Sequence, residues 1–342
     1  MSEAAFSPIL KRVVDNEPLD ADTAERAFDL ITSGEVSEAQ IAGFLTALAM
    51  RGPSVDEIVG GARALRAKML TIEAPDGAID VCGTGGDGKG TLNISTAVAF
   101  VVAACGVPVA KHGNRNMSSK SGAADVLEVL GARVEMQPAA AAKILRETGV
   151  CFLFAQLYHP AVKYAAPVRR ALGFRTIFNL LGPLCNPARV KRQLIGVYAG
   201  NLVVRMRDAL ARLATERAWV VHGTDGMDEM TTTATTLVGA LDAAGTTAWR
   251  QMEPEDAGVP RARPEELKGG SARDNAAAML RLLGGESGAY RDIVLLNSAA
   301  ALIVAGKAAT SKQGAQLAAQ AIDSRRAKQS LEHFIAASRD AA

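Results

Sequence analysis

The sequence predicts an α/β fold, in which a central and mostly parallel sheet is flanked by helices and accompanied by a smaller all-helical domain. The first seventy residues have apolar positions at helical spacing and no run that resembles a strand. From Ala78 onward, short apolar runs alternate with helical segments, which is typical of a parallel sheet with both faces covered. A chain of 342 residues also exceeds the size at which one hydrophobic core usually keeps growing.

The predicted N-terminal helices carry recognisable start signals. Ser37 with Gln40, and Ser54 with Glu57, have the spacing of a capping box, in which two side chains satisfy free N–H groups of the first helical turn. We therefore expect one helix to begin after Ser37 and another after Ser54, each with a capping box.

Six short apolar runs predict strands, at residues 79–81, 107–110, 133–136, 151–155, 193–198 and 218–221. The longest apolar stretch, residues 94–110, is interrupted by polar residues, glycine and proline, and predicts a buried helix followed by a buried strand. We expect residues 1–72 to form the helical domain, which about residues 160–190 complete, and residues 73–342 to form the α/β domain. A polar loop at residues 253–270 precedes the last helices and has no role that its sequence reveals.

The charge balance argues against a chain-wide attraction to polyanions. Lysine and arginine number 38 against 36 aspartate and glutamate, so no overall field would recruit nucleic acid or an anionic membrane. We therefore expect small-molecule substrates, with no nucleic acid and no membrane as partners, and any site for a polyanion must be local.

The cysteines and the N-terminus indicate the compartment. Residues 1–18 lack the charged start and the hydrophobic centre of a signal peptide. The cysteines have no CxxC pairing, in a chain too large to need disulfides, which predicts reduced thiols and a cytoplasmic location. They are Cys82, Cys105, Cys151 and Cys185.

Residues 80–87, DVCGTGGD, form a predicted strand that runs into three glycines within four residues. Backbone N–H groups in such a turn can approach one anion, and the helix predicted to start near Asn93 would add the positive end of its dipole. The turn alone is equally compatible with a tight structural connection. Phosphate binding is favoured because the start of the helix has four small hydrogen-bonding side chains, where one or two would suffice for capping. These belong to Thr91, Asn93, Ser95 and Thr96.

A second loop, residues 111–120 with the sequence KHGNRNMSSK, follows the strand predicted at 107–110 and contains no acid. Basic side chains interleaved with glycine, asparagine and serine suit a phosphate clamp, although a solvated surface loop would have a similar composition. Its position favours function, because α/β proteins bind ligands at the carboxyl ends of their strands. The basic residues are Lys111, His112, Arg115 and Lys120.

Several motifs in register identify a family resemblance. DVCGTGGDGKGTLNIST, KHGNRNMSSKSGAADVLEVLG, YHPA, FNLLGPLCNPA and HGTDGMDE occur in the order and at the approximate spacing found in anthranilate phosphoribosyltransferases. The resemblance covers about residues 80–230, and the helical N-terminus and total length are also similar to that family.

The resemblance implies that phosphoribosyl pyrophosphate binds in the α/β domain, across the glycine turn and under the second loop. The implied donor-binding residues are Gly83, Gly86, Asp87, Thr91, Asn93, Ser95, Thr96, Lys111, Asn114, Ser118, Ser119 and Ala123. The implied ligands of Mg²⁺ are Ser95, Asp228 and Glu229. Ala123 stands where many relatives have serine, so one phosphate contact is weakened, and Asn116 and Met117 also depart from the family pattern.

For the acceptor, the resemblance implies that anthranilate contacts Gly83, His112, Asn114, His159, Tyr164 and Arg169. Arg169 and Lys111 are the implied catalytic residues. A guanidinium can meet the anthranilate carboxylate with two parallel N–H bonds. From its own sequence context, however, Arg169 is equally compatible with a helix-surface arginine beside Arg170.

The implied reaction is attack by the neutral anthranilate amine on the ribose C1, with inversion and loss of pyrophosphate, as a step in tryptophan biosynthesis. No covalent enzyme intermediate is expected, since positioning and electrostatic stabilisation suffice. The resemblance also implies a homodimer. Two alternatives use the same fold: a pyrimidine nucleoside phosphorylase-like enzyme and a non-catalytic nucleic-acid-binding relative. The balanced charge and the retained glycine and acidic motifs argue against the second.

Overall fold

The computed structural model describes residues 2–115 and 121–340 of the chain. Its helices are α1 (Ser2–Val14), α2 (Ala21–Thr32), α3 (Glu38–Arg51), α4 (Val55–Lys68), α5 (Ile94–Ala104), α6 (Ala123–Val129), α7 (Pro138–Thr148), α8 (Ala155–Tyr158), α9 (Ala166–Leu172), α10 (Phe178–Leu184), α11 (Leu202–Arg212), α12 (Ala272–Leu283), α13 (Ala289–Val304), α14 (Ser311–Asp323) and α15 (Arg326–Asp340). Its strands are β1 (Ile79–Gly83), β2 (Val109–Gly113), β3 (Val150–Phe154), β4 (Arg192–Gly196), β5 (Arg217–Gly223), β6 (Thr236–Leu241) and β7 (Thr247–Met252).

The N-terminal helices begin close to where the sequence predicts. Ser54 accepts a hydrogen bond from the Glu57 N–H and the Glu57 carboxylate accepts one from the Ser54 N–H, so the capping box of α4 is confirmed. The predicted capping box of α3 is wrong, because the Ser37 hydroxyl makes no bond to the backbone of the helix. Gln40 instead turns toward α1, where its Nε2 donates to the Ser7 hydroxyl over 3.2 Å.

The helical core joins the N-terminal helices to the middle of the chain. Phe28 packs edge-on against Phe44 and Phe178, with ring centroids 5.7 Å and 5.6 Å apart. Helix α9 packs against α3, and α10 packs against α4. The arrangement places the segment at residues 160–190 beside the N-terminal helices, at one side of the sheet.

The sheet has the order β3-β2-β1-β4-β5-β6-β7 within the described residues. Strands β3, β2, β1, β4 and β5 run parallel, while β6 and β7 extend the sheet as an antiparallel pair. The predicted α/β fold with a mostly parallel sheet and a smaller helical part is therefore confirmed. The apolar stretch 94–110 forms α5 and the start of β2, as predicted.

One predicted strand is wrong, and two strands of the structure were not predicted. Residues 133–136 form no strand, although Val134 and Met136 are buried, because they lie without a ladder partner just before α7. Strands β6 and β7 were not predicted. In β6 the apolar run is interrupted by Gly239, where a larger residue would not fit because a Cβ would lie 2.9 Å from Val203 Cγ1 on α11. Strand β7 has no apolar pattern because it lies at the edge of the sheet and most of its side chains are exposed.

Along the described parts of the chain, the helices are all too short or too polar to cross a lipid bilayer. All four cysteines are free, and three of them are buried.

Candidate functional site

Three loops meet at the carboxyl-terminal edge of the parallel strands. They follow β1, β2 and β5, and their described residues are 84–93, then 114–115 with 121–122, and 224–235. Since β1 and β4 pair in register from Ile79 with Arg192 to Gly83 with Gly196, the ends of these central strands lie side by side. This is the edge at which parallel α/β sheets bind ligands.

The loop after β1, residues 84–93, is held open by glycine conformations. Gly85, Gly86, Gly88 and Gly90 have φ values of 66°, 74°, 73° and 61°, a region that other residues adopt only at a cost. The Gly85 N–H already donates to a carboxylate, Asp228 Oδ2, over 2.7 Å. The Gly85 N–H therefore already has an anionic partner, and phosphate binding by the other N–H groups of this loop stays a prediction.

Two glycines at strand ends make room for the acidic loop. A Cβ at Gly83 would lie 2.6 Å from Asp228 Oδ2, and a Cβ at Gly196 would lie 1.5 Å from the Asp228 carbonyl oxygen. Real Cβ atoms do not approach other atoms so closely, so the path of residue 228 across β1 and β4 requires both glycines. Gly83 was expected at the site from its motif, whereas Gly196 was not.

Asp228, Glu229 and Asp87 form a group of neighbouring carboxyls. Burial and the nearby Asp87 raise the pKa of Asp228, and burial and the nearby Asp228 raise the pKa of Glu229. Within the described residues, no group of three or more His, Cys, Asp and Glu side chains is arranged to hold a metal alone. A cation at this pair would therefore take further oxygen ligands from a hydroxyl, a substrate or water.

Lys111 lies beside this acidic group. Its Nζ donates to the Val81 carbonyl over 2.7 Å and to the Ser95 hydroxyl over 3.1 Å. The prediction that the second loop starts at Lys111 is wrong, because β2 continues to Gly113 and the lysine is buried in the strand. The Lys111 ammonium group is therefore held at the start of α5 by burial and by its hydrogen bond to Ser95.

Arg115 does not contribute a free cation to the predicted phosphate clamp. Its guanidinium pairs with Glu128 on α6 and lies 3.3 Å from Glu135, and it stacks 5.3 Å from the ring centroid of Phe154. The loop itself contains no acid, but helix α6 and the segment after it supply the acids that neutralise this arginine.

Asp80 and Asn186 form a buried link that sequence reasoning missed. Asp80 Oδ1 accepts a hydrogen bond from the His112 N–H over 3.0 Å, and Oδ2 accepts one from Asn186 Nδ2 over 2.8 Å. Asn186 Nδ2 also donates to the Ala110 carbonyl. The sequence feature that could have revealed this link is a carboxylate between apolar residues of a predicted buried strand, β1. The link connects β1 with β2 and with the segment after α10.

The start of α5 is fixed by the loop at residues 253–270. Leu92 N–H donates to the Leu267 carbonyl, and Gly269 N–H donates to the Gly90 carbonyl over 2.8 Å. Asn93 Oδ1 accepts from Asn275 Nδ2 over 2.8 Å, and Asn93 Nδ2 donates to the Ser121 carbonyl over 3.4 Å. The loop whose role the sequence did not reveal thus pairs with the end of the glycine loop.

Four further expected donor residues lie on the elements next to these groups. Thr91 forms an isolated antiparallel bridge with Lys268, and Thr96 is buried in the first turn of α5. Asn114 Oδ1 accepts from the Arg115 N–H, and Ala123 is the first residue of α6. The expected donor residues Ser118 and Ser119 lie outside the described residues. The same holds for the neighbouring loop residues Asn116, Met117 and Lys120.

The two expected histidines of the acceptor site are in contact. His112 Nε2 and His159 Nε2 lie 3.1 Å apart, and the rings are tilted by 55°. Burial lowers the pKa of His112 to about 3 and that of His159 to about 4. Both rings are therefore neutral at pH 7.

Arg169 is a partly buried cation on α9. Its guanidinium carbon lies 5.1 Å from the ring centroid of Phe178, burial lowers its pKa, and none of the ion pairs found among the described residues involves it. Tyr164 packs elsewhere: a Cβ at Gly34 would lie 2.6 Å from its ring, and Lys163 Nζ lies 5.0 Å from its centroid. These described contacts do not connect Tyr164 with Arg169.

Comparison with known proteins places both parts of the chain in one family. The helical bundle domain of a glycosyl transferase family matches residues 7–69, and the α/β domain of the same family matches residues 75–328. Among curated relatives, the anthranilate phosphoribosyltransferase of Parvibaculum lavamentivorans is 55% identical over 97% of each chain. That of Azospirillum brasilense is 55% identical over 96% of this chain and 91% of its own.

Solved structures show the same similarity. The crystal structure of anthranilate phosphoribosyltransferase from Thermus thermophilus is 41% identical, with a TM-score of 0.90 over 96% of this chain and 99% of that one. The Saccharomyces cerevisiae enzyme in complex with PRPP and Mg is 26% identical, with a TM-score of 0.90 over 99% of both chains. The same yeast enzyme in complex with 4-fluoroanthranilate is 25% identical, with a TM-score of 0.88 over 99% of both chains.

Proposed function

Because this chain belongs to the glycosyl transferase family of the anthranilate phosphoribosyltransferases, it is an enzyme of tryptophan biosynthesis, and we propose how its residues divide the reaction. It transfers the phosphoribosyl group of 5-phosphoribosyl 1-pyrophosphate to the amine of anthranilate, which gives N-(5-phosphoribosyl)anthranilate and pyrophosphate. The single observation that carries the division is the meeting of the glycine loop, Lys111 and the pair Asp228 and Glu229 at one edge of the sheet.

The donor lies on the glycine loop. N–H groups of Gly86 and Asp87 and hydroxyls at the start of α5 meet the phosphate oxygens, while the buried Lys111 ammonium adds a fixed positive charge. Charge that develops on the leaving pyrophosphate is stabilised most by donors that are already in place, and one such donor accounts for roughly 3 kcal/mol of the barrier.

Mg²⁺ is the cofactor, and the acidic pair fits it. Burial, followed by the repulsion of neighbouring carboxyls, raises the pKa of Asp228 and of Glu229, and a divalent cation would stabilise both in their charged forms. The Ser95 hydroxyl is the third protein ligand that we propose. When bound, the ion screens the pyrophosphate and makes it a better leaving group.

The acceptor lies against Arg169 and the histidine pair. A partly buried guanidinium without a carboxylate partner can bind the anthranilate carboxylate with two charge-assisted hydrogen bonds. His112 and His159 are neutral at pH 7, so they can contact the amine side of the acceptor without adding positive charge where the sugar becomes positive. The amine attacks C1 from the face opposite the pyrophosphate, and the configuration at C1 inverts.

We also propose the remaining features of the protein. Residues 1–72, completed by residues 160–190, form the helical domain, and residues 73–342 form the α/β domain. The enzyme acts in the cytoplasm as a homodimer joined through the helical domain, where Met50 on α3 is 85% exposed. Sedimentation tests the dimer: Met50→Glu should shift it toward monomer, whereas Val129→Glu, at an exposed apolar position of α6, should leave it unchanged.

The function is tested by following anthranilate fluorescence after addition of phosphoribosyl pyrophosphate with and without magnesium. We expect a decay that requires both additions. Inorganic phosphate with a pyrimidine nucleoside tests the phosphorylase alternative, and no free base should form. Folded protein that leaves anthranilate fluorescence constant would exclude the assignment.

A further inference from the structure

Arg175 reaches the glycine loop from the connection between α9 and α10. Helix α9 ends at Gly173, whose φ is 66°, and the chain then passes through Arg175 before α10 begins at Phe178. The Arg175 guanidinium donates to the Gly86 carbonyl. A Cβ at Gly86 would lie 3.3 Å from Arg175 Nε, so the arginine lies directly against the backbone of the loop.

Tyr198 holds this guanidinium in place. The Arg175 guanidinium carbon lies 4.4 Å from the centroid of the Tyr198 ring, which is within the range of a cation–π contact. Tyr198 is itself tied to the first residue of the glycine loop, because its N–H donates to the Thr84 hydroxyl over 3.1 Å. Thr84 N–H in turn donates to the Gly196 carbonyl over 2.9 Å. The arginine is therefore connected with the loop at Thr84 through Tyr198 and at Gly86 directly.

The glycine loop needs such a restraint. Four glycines with positive φ lie between Gly85 and Gly90. Because glycine has more backbone conformational entropy than other residues, ordering this loop costs more entropy than ordering other segments of the same length. Ordering a loop at the moment of binding weakens the affinity for the ligand, whereas ordering it beforehand removes that cost. The far end of the loop is paired with Leu267 and Gly269, and the near half is restrained by Asp228 at Gly85 and by Arg175 at Gly86.

We propose that Arg175 is a positioning residue for the phosphoribosyl donor, which holds the glycine loop in its binding conformation through the Gly86 carbonyl, with Tyr198 as its support. The proposal rests on the proposed function and extends it to a residue outside the expected set. Arg169 on α9 precedes Arg175 by six residues, so neighbouring parts of the chain carry the residue proposed for the acceptor and the one proposed for the donor.

The test compares Arg175→Ala and Arg175→Lys with the wild type in steady-state kinetics and in calorimetric titration of phosphoribosyl pyrophosphate with magnesium. For Arg175→Ala we expect the KM and the Kd of the donor to rise about tenfold or more, since a charge-assisted hydrogen bond is lost. The kcat and the KM of anthranilate should change less than about threefold, because the restraint acts before the chemical step. Arg175→Lys should restore part of the donor affinity, since an ammonium can still donate to a carbonyl.

Two controls separate positioning from general damage. Arg170→Ala removes an exposed arginine of α9 and should change neither substrate's KM. Tyr198→Leu should raise the donor KM in the otherwise wild-type protein but add little in the Arg175→Ala background, while Tyr198→Phe, which keeps the ring, should restore most of the donor affinity that Tyr198→Leu loses.

An unchanged donor Kd in Arg175→Ala, equal rises in the KM of both substrates, or full additivity with Tyr198→Leu would each overturn the proposal. If Arg175→Ala fails to fold, Arg175→Lys and Tyr198→Leu decide the same question. Calorimetry keeps this test separate from the function itself, because a wild type that binds the donor without consuming anthranilate contradicts only the proposed function.

Discussion

His112 Nε2 lies 3.1 Å from His159 Nε2, which joins strand β2 to the segment that leads into the middle helices. The backbone of Gly182 supports the His112 ring, and that of Cys185 supports the His159 ring. Since burial holds the pKa of both rings far below that of an exposed histidine, the pair is uncharged at pH 7.

This pair makes stability depend on pH. Both histidines have folded-state pKa values below the unfolded value of about 6.5, so the unfolded chain takes up protons first as the pH falls. The stabilisation is fully present above pH 6.5 and is lost as the pH falls toward 4 and 3. We expect the free energy of unfolding to fall by roughly 1 kcal/mol per histidine between pH 7 and pH 5.5.

Urea unfolding of His159→Asn at several pH values checks this expectation. The variant should lose about half of the histidine-dependent slope in this range, whereas the exposed His333→Asn should behave as the wild type. Identical slopes for His159→Asn and the wild type would contradict the neutral pair.

Arg169→Ala should act on the acceptor alone. Loss of charge-assisted bonds worth about 1.5 to 3 kcal/mol raises the KM of anthranilate about tenfold or more. The KM of phosphoribosyl pyrophosphate should stay within about threefold of the wild type. Initial rates at varied concentrations of each substrate give both values, and Arg170→Ala is the matched control. Equal effects on both substrates would remove Arg169 from the acceptor site.

Asp228→Asn and Glu229→Gln should raise the magnesium concentration needed for half-maximal activity. Each replaces a charged oxygen ligand by a neutral one, which binds a hard cation more weakly. Without magnesium, the same variants should unfold at an equal or higher temperature, because they remove a buried carboxyl charge and its repulsion by neighbouring carboxyls. Glu73→Gln, at an exposed position, is the control. An unchanged magnesium requirement in both variants would contradict the metal assignment.

Glu57→Gln should destabilise the helical part of the protein. The buried Glu57 carboxylate accepts hydrogen bonds from the Leu19 and Ser54 N–H groups and pairs with Arg51 over 2.6 Å. Breaking a buried pair leaves a charge uncompensated and costs about 3 kcal/mol. Glu25→Gln, whose exposed pair with Arg63 spans 3.8 Å, should cost less than about 0.5 kcal/mol. Chemical denaturation of the two variants at pH 7 compares these costs, and equal values would refute the role of Glu57.

The fold was predictable where a local pattern determines it. The apolar run of α5 and the capping box of Ser54 and Glu57 depend on neighbours in sequence, and both are present. The hairpin of β6 and β7 was missed for two reasons. Most side chains of the edge strand β7 are exposed, and Gly239 in β6 is required by contact with a side chain on α11, which is distant in sequence. The apolar pattern of residues 133–136 is typical of a strand. A segment forms a strand of a sheet, however, only when a neighbouring strand is available for hydrogen bonding.

The candidate site was predictable in its residue types more than in its contacts. The glycine loop and the acidic pair follow from composition and family motifs. Asp80 with Asn186, and Arg175 with Gly86, join residues distant in the chain, so no spacing rule reveals them. Arg115 shows the reverse case, since an arginine counted as a free cation is neutralised by acids of α6 that its own loop does not contain.

The bond between Asn275 and Asn93 spans 182 residues of chain. On the ribosome, the glycine loop is therefore synthesised long before the segment that fixes its far end. A nascent chain that has completed β1, α5 and β2 carries every implied donor residue of the glycine loop but not the restraint from Leu267, Gly269 and Asn275. Until residue 275 has been synthesised, the far end of the glycine loop lacks these contacts, and a chain that ends before Asn275 lacks them permanently.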